Sequence, residues 1–439
     1  LGWNGVLVGN EGQALHDNWS VDNNVITNMG FIGVELTNTQ NSSVTGNVIT
    51  GGSDILGEDS SGNEPADNSD DGILVQTQIH QGAGLTVSNV TVQDNTISGT
   101  HDRAGIELLA WDSTGLLTAG LTDIDVLNNS VSDAFRGLYV FTVGSNSLIN
   151  DISVDGNEFD GNEDGIQFRD FDFTGLGTHG TIDITHNKIT NSTGASSGIH
   201  IRSADVEVAG ISINFNEISG STSFDINHEG TGTLDASANY WGSADPATVA
   251  AKISGPVDFT PLLENGDTAA GTIGFQADLS ELTVHSLGLQ SGSTGRIQEA
   301  IDLVTGSGST VTVAAGTYNE QLTIDKSLTL TGDVGDASAG PGAAAPLLDG
   351  GGLVGSAIVI SPGTSGVTIE GLEITNYRNR DLDTAFTTGG LGSAIEAFSG
   401  STSNITIRDN FLHDLGWNGV LVGNEGQALH DNWSVDNNV

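Results

Sequence analysis

Short apolar runs alternate with polar residues along the chain, and the alternation recurs as a cassette. Each cassette has a β-branched strand, an Asn, an apolar residue one or two positions on, and a polar turn. In most cases a Gly and a second apolar strand follow. Residues 19–26 lead in this way to 33–36, 90–97 to 105–108, 152–159 to 165–168, and 182–189 to 198–201. In the 211–218 cassette the Gly is missing before Phe224. The period-2 alternation predicts strands with one apolar face, each too short to stand alone. The cassette Asn residues Asn24, Asn47, Asn95, Asn129, Asn157, Asn187, Asn216 and Asn239 are separated by 23, 48, 34, 28, 30, 29 and 23 positions. Units of this length with two or three strands predict the coils of a parallel β-solenoid, each strand gaining backbone hydrogen bonds on both edges. Asn suits a sharp corner because it tolerates the left-handed backbone, and its amide can bond up and down a column. These Asn residues, with Asn410 and Asn438 further on, therefore read as a structural ladder.

The pattern changes twice. Near 234–263 three of the 7 prolines fall together, Pro246, Pro256 and Pro261. Proline cannot donate to a ladder, so it suits the place where stacking stops. Residues 264–292 read as a Gly/Thr/Ser-tinged connector with one strand near 282–285. From Arg296 to Val304, Ile297, Ala300, Ile301 and Val304 fall on one helical face, predicting an amphipathic helix that covers the open end of a new core. Strands resume at 310–318, 321–324 and 326–330, and coils rebuild through 357–410. The expected organisation is a β-helix segment over 1–263, a connector over 264–292, and a capping helix with new coils over 293–439.

Residues 415–439 duplicate 1–25 letter for letter, at an offset of 414 positions. Core packing could hold the apolar letters alike, but not Asn10, Glu11 and Gln13, so the identity reads as a tandem duplication or as an overlap introduced by cloning. The chain also opens at Leu1 without a signal-type segment, which suits a piece of something longer.

The sequence of the helix and strands after it, Ile297–Asp302, Val311–Glu320 and Lys326–Gly332, resembles the capped start of pectin-lyase-like right-handed parallel β-helices. Asn239-Tyr240-Trp241-Gly242 with Pro261 resembles the close of bacterial surface members of that superfamily. The resemblance implies an all-β, right-handed parallel β-helix. It implies little about activity, because the superfamily holds lyases, hydrolases, esterases, epimerases, adhesins and passive stalks.

Composition narrows the function. There are 11 Lys and Arg against 56 Asp and Glu, a net charge of −45. Such a surface repels nucleic acid and anionic membrane, and no apolar run reaches the ~20 residues of a membrane span. With no Cys there is no disulfide framework or thiolate metal site. The superfamily's enzymes act on acidic polysaccharides along one face of the solenoid. The matching outward positions here are Glu35, Glu107, Tyr139, Gln167, His200 and Asp225, with Arg136, Arg169 and Arg202 nearby. No residue stands out as catalytic; His200, Arg169, Arg202, Glu107 and Tyr139 are the candidates, set against a polar outer face that every soluble solenoid needs. Glu58, Asp59, Asp67, Asp70 and Asp71 crowd an acidic insert between two coils; hard oxygen ligands at this density suit Ca2+, but a merely solvated acidic loop fits better, so no cofactor is expected, with Ca2+ the one candidate. Three functions stay open. The first is a structural repeat of a giant bacterial extracellular or cell-surface stalk, adhesin or filament, whose partners are neighbouring copies end to end. The second is a lyase or epimerase acting on acidic glycans, and the third a carbohydrate-binding adhesin module.

Overall fold

The computed structural model describes residues 4–439 except 10–13, 53–70, 80–83, 100–102, 113, 173, 196, 203–205, 268–270, 306, 334–344, 379–391, 399 and 424–428. The chain forms two units. One comprises Leu1–Phe259 with Gly266–Ala277, the other Thr260–Asn265 with Asp278–Val439.

Among the described residues the first unit is a parallel solenoid with sheets of nine, ten and seven strands and a further sheet of two. The nine-stranded sheet runs in order through Val6–Gly9, Val34–Thr37, Ile73–Ile79, Ile106–Asp112, Arg136–Val143, Asp164–Phe171, Ser197–Ile201, Phe224–His228 and Ile253–Ser254. Alternation along these strands sends Leu36, Ile106, Leu108, Val140, Ile166 and Ile199 into a fully buried core. Glycines open successive strands of this sheet. A Cβ on Gly33, Gly72, Gly137 or Gly165 would meet the carbonyl oxygen of the next glycine in the column at 2.4 or 2.5 Å. The cassette Gly is thus demanded by close backbone approach from coil to coil. In the coil that lacks it, Asp225 lies opposite Gly198.

The ladder Asn side chains are buried and bond in sequence. Asn47 Nδ2 donates to Asn95 Oδ1 at 3.0 Å, Asn95 to Asn129 at 2.9 Å, Asn129 to Asn157 at 2.9 Å, and Asn157 to Asn187 at 2.9 Å. Each Oδ1 also accepts the preceding coil's Asn backbone N–H, as from Asn95 to Asn129 at 3.0 Å. The left-handed residue is not the ladder Asn, as expected from the sequence, but the one before it. Asn23, Asp94, Asn128, His186, Phe215 and Ala238 have φ between 52° and 61°. The corner residue turns the backbone, and the next residue is thereby aimed inward, where only an amide satisfies donors and acceptors on both sides.

The last coil of this unit contains a helix the sequence reading did not anticipate, α1 (Pro246–Ala250), ahead of the terminal strands Ile253–Ser254 and Val257–Asp258. Asp245 caps it, Oδ2 accepting the Thr248 N–H at 2.9 Å, and Pro246 takes the first turn. Trp241 packs edge-on to Phe259. Part of the expected connector belongs to this packing: Phe275 is buried and stacked on Tyr240, and Asp267 pairs with Lys188 at 2.6 Å.

In the second unit, Leu262–Leu263 pairs antiparallel with Glu281–Val284, which begins a seven-stranded sheet; two four-stranded sheets complete the coils. The capping helix α2 spans Arg296–Leu303, with Val304 as its C-cap, and buries Ile297, Ala300 and Ile301. Its N-terminal amides at Ile297 and Gln298 both donate to the Glu320 carboxylate at 3.1 Å. No helix among the described residues is long and apolar enough to cross a membrane.

Candidate functional site

The register of the nine-stranded sheet places Glu35, Leu74, Glu107, Tyr139, Gln167, His200 and Asn227 in one line, each on the face opposite the core. Asp225, expected in this line, stands two positions before it on the same strand face, opposite Gly198, and Asn227 takes its place. A second line two positions along contains Leu109, Phe141 and Arg169, with Arg202 following as its N–H donates to Phe168 O at 2.9 Å.

The first line is not a solvated polar face. Glu107 is 0% exposed, Tyr139 1%, Gln167 1% and His200 5%. A buried charge must be paired and hydrogen-bonded, and Glu107 is. Arg103 Nε and Nη2 hold both Glu107 oxygens at 2.5 Å. Glu107 raises the Arg103 guanidinium pKa above its ordinary value, against burial, which is the largest influence and acts to lower it. Asp71 lies beside this pair. Burial, then the Glu107 charge, pushes its carboxyl well above the usual range, with Arg103 and Arg136 opposing. Two carboxyls in one buried place favour one proton between them. Arg136 is sandwiched between Phe135 and Tyr139, 4.5 and 4.3 Å from the ring centres, and Nε donates to Gln167 Oε1 at 2.7 Å. Gln167 Nε2 donates to Asp164 Oδ2 at 2.5 Å and stands 3.3 Å from His200 Nδ1. His200 Nε2 is 3.1 Å from Glu229 Oε1, and Nδ1 is 3.4 Å from Asp164 Oδ2. Both ring nitrogens of His200 are thus held by protein side chains, Nε2 by Glu229 and Nδ1 by Gln167 and Asp164.

The sequence candidates Glu107, Tyr139, His200, Arg169 and Arg202 thus meet on one face. Arg103, Asp71 and Glu229 were missed as members. The available signal was spacing: Arg103, Arg136, Arg169 and Arg202 fall at intervals of 33. Of the calcium candidates, Glu58, Asp59, Asp67 and Asp70 lie outside the described residues, and Asp71 joins the Glu107 pair. Among the described residues no group of three or more His, Asp or Glu is placed to hold a metal ion.

Residues 2–172 match a family model described as a right handed beta helix region. The fold is a right-handed parallel β-helix. A search of curated proteins finds no match. Among solved structures, an arginine-to-alanine mutant of the PL6 family alginate lyase AlyGC is similar at 12% identity, covering 99% of this chain and 76% of its own, with a TM-score of 0.24. A second structure of AlyGC is similar at 10% identity, covering 97% and 78%, with a TM-score of 0.21.

Proposed function

We propose that the outer face of the nine-stranded β-helix sheet binds an acidic polysaccharide and acts on it by proton transfer. One observation carries this reading: in a chain of net charge −45, four of the 11 cationic residues stand on a single face at successive coils. Gln167, Arg169, His200 and Arg202 form the corners of a patch of roughly 4.8 by 6.8 Å, from strand spacing and the two-residue step. Phe141 and Phe171 flank Arg169 at 5.6 and 5.9 Å, giving apolar faces for sugar rings beside a cation for their carboxylates. Elimination and epimerisation of uronates both begin by removing the proton α to the carboxylate. A neutralising Arg stabilises the resulting anion, and the half-exposed Glu229 carboxylate, 3.1 Å from His200 Nε2, is the group that would take the proton. Arg103, Glu107 and Asp71 support the patch. Any part played by Ca2+ stays with the acidic insert, and a chelator arm in the same assay tests it.

The test is a panel of polyuronates and neutral glucans, scored for binding and for the ultraviolet absorbance of unsaturated product. Arg169→Ala and Arg202→Ala are each expected to weaken polyuronate binding at least tenfold while the chain stays folded by circular dichroism, and Arg169→Lys and Arg202→Lys, which keep the charge, to weaken it less. Equal affinity for neutral glucans, or none for any polyuronate, would sink the reading.

A second reading, a structural repeat of an extracellular or cell-surface stalk or filament with copies end to end, is favoured by the 25-residue identity at an offset of 414. Flanking sequence tests it: further copies of the 414-residue period support it, and their absence removes it.

A further inference from the structure

After the last coil, Gly266–Ala277 returns to the first unit as a strap along its outside. Phe275 N–H donates to His186 O at 2.6 Å, and the Phe275 ring stacks on Tyr240. Gly274 lies against Gly156, where a Cβ would meet the carbonyl oxygen at 2.6 Å, and Gly266 lies against the Tyr240 ring. The strap carries Asp267 to Lys188, Oδ2 standing 2.6 Å from Nζ. Register supplies the neighbours of that pair. Lys188 lies between Glu158 and Glu217 on the adjacent strands of the unit's seven-stranded sheet, about 4.8 Å to either side. All three side chains alternate with buried Phe159, Ile189 and Ile218, so they share the outward face beneath the strap.

The pair is largely withdrawn from water, with the Lys188 side chain 17% and the Asp267 side chain 9% exposed. Withdrawal disfavours the two charges and eases return of a proton from ammonium to carboxylate, which leaves an amine facing a carboxylic acid. Gln276 N–H donates to Asp267 Oδ1 at 3.2 Å and draws electron density from the carboxyl carbon. A proton carrier stands beside them. Burial, the largest influence, with the Asp267 and Glu158 charges, pushes the Glu217 carboxyl above its ordinary range, against the Ser219 hydroxyl and Lys188. We propose that Lys188 and Asp267 condense to an intramolecular isopeptide amide, with Glu217 as the proton-transferring group. Lys188 Nζ attacks Asp267 Cγ as the free amine, and Glu217 takes a proton from nitrogen and gives one to the departing hydroxyl. The C–N bond forms, a C–O bond breaks, and one water leaves. Of the three ammonium protons, two go with the oxygen and one stays on the amide nitrogen, so the step needs no oxidant and no further reactant. In a chain without Cys the amide is a covalent staple, pinning the strap to the coils at Gly156, His186 and Tyr240.

The intact mass of the full chain, folded and incubated at neutral pH, tests this without any variant. The expected mass is the sequence mass less one water. Trypsin should then fail to cut after Lys188, and residues 170–202 should appear joined to residues 253–296 as one branched peptide, with fragment ions placing the bond between Lys188 and Asp267. Lys188→Arg and Asp267→Ala are expected to show the full sequence mass. Glu217→Gln, which keeps the shape and cannot carry the proton, should form the bond at least tenfold more slowly, with folding of each variant checked by circular dichroism. A folded wild type at full sequence mass, a water loss that maps to a cyclic imide within one peptide, or a Glu217→Gln chain that forms the bond as fast as wild type would each overturn the proposal.

Discussion

At His179 burial decides the protonation state. The imidazole is packed edge-on to Phe168, and desolvation lowers its pKa to about 4, with only the Val140 carbonyl opposing. In the unfolded chain the value is near 6.5. The unfolded state therefore binds more protons between these values, so stability is complete above pH 6.5 and is lost as pH falls toward 4. A shift of this size corresponds to about 3 kcal/mol. Urea midpoints measured at pH 7 and pH 4 should fall accordingly, and His179→Gln should remove that part of the fall. Asp71 has the opposite sign. Its folded carboxyl lies well above the ordinary range, chiefly through burial and then Glu107, so its contribution is lost as pH rises through that raised value. Asp71→Asn is expected to stabilise the chain at neutral pH relative to wild type; a lower urea midpoint at pH 7 would refute the assignment.

At the scale of the element, the Asn column is the part that a substitution reads most cleanly. Asn129 accepts from the backbone and side chain of Asn95 and donates to Val92 O and Asn157 Oδ1. Asn129→Ala strands buried donors and acceptors on both neighbouring coils and should cost on the order of 3–5 kcal/mol in urea unfolding. Asn129→Asp keeps the acceptor and loses the donor, placing a carboxylate against Val92 O and Asn157 Oδ1, so it should be no milder. A midpoint unchanged by either would show that the ladder is decoration. The ladder was legible in the sequence because one letter must recur at one position in every coil. The left-handed corner was not, because His186, Phe215 and Ala238 occupy it as well as Asn and Asp. Once the stack fixes the backbone there, the corner residue's own preference is overridden at a cost of about 1–2 kcal/mol. The site was half legible for a related reason. Outward positions follow from the period of two, but which of them meet depends on register across inserts of unequal length, such as the 48 positions between Asn47 and Asn95. Hence Glu107 and His200 could be named from the chain, Arg103 was within reach only through its 33-residue spacing from Arg136, and the partner Glu229 could not be named.

Over the whole molecule, charge is distributed against itself. The net −45 includes exposed carboxylates such as Asp22, Asp123, Asp133 and Asp151, while Arg103 is paired with the fully buried Glu107 and the buried Arg136 is stacked on Tyr139. Self-repulsion among exposed carboxylates opposes the compact state and is screened as the Debye length falls from about 10 Å at 0.1 M salt to about 3 Å at 1 M. Attraction between the arginine face and a polyuronate is screened over the same range. Salt should therefore move the two properties in opposite directions: the urea midpoint rises from 0.1 to 1 M NaCl with an unchanged denaturant slope, and polyuronate affinity falls. Sodium sulfate would confound the first effect by strengthening apolar burial, so chloride is the proper salt. The Arg103–Glu107 pair supplies the internal control, since the carboxylate that accepts its two 2.5 Å hydrogen bonds is fully buried. The destabilisation caused by Arg103→Gln should stay the same at both salt concentrations. A midpoint that falls with NaCl would mean that exposed ion pairs outweigh repulsion, and an affinity that holds constant would mean that the arginines do not face the ligand.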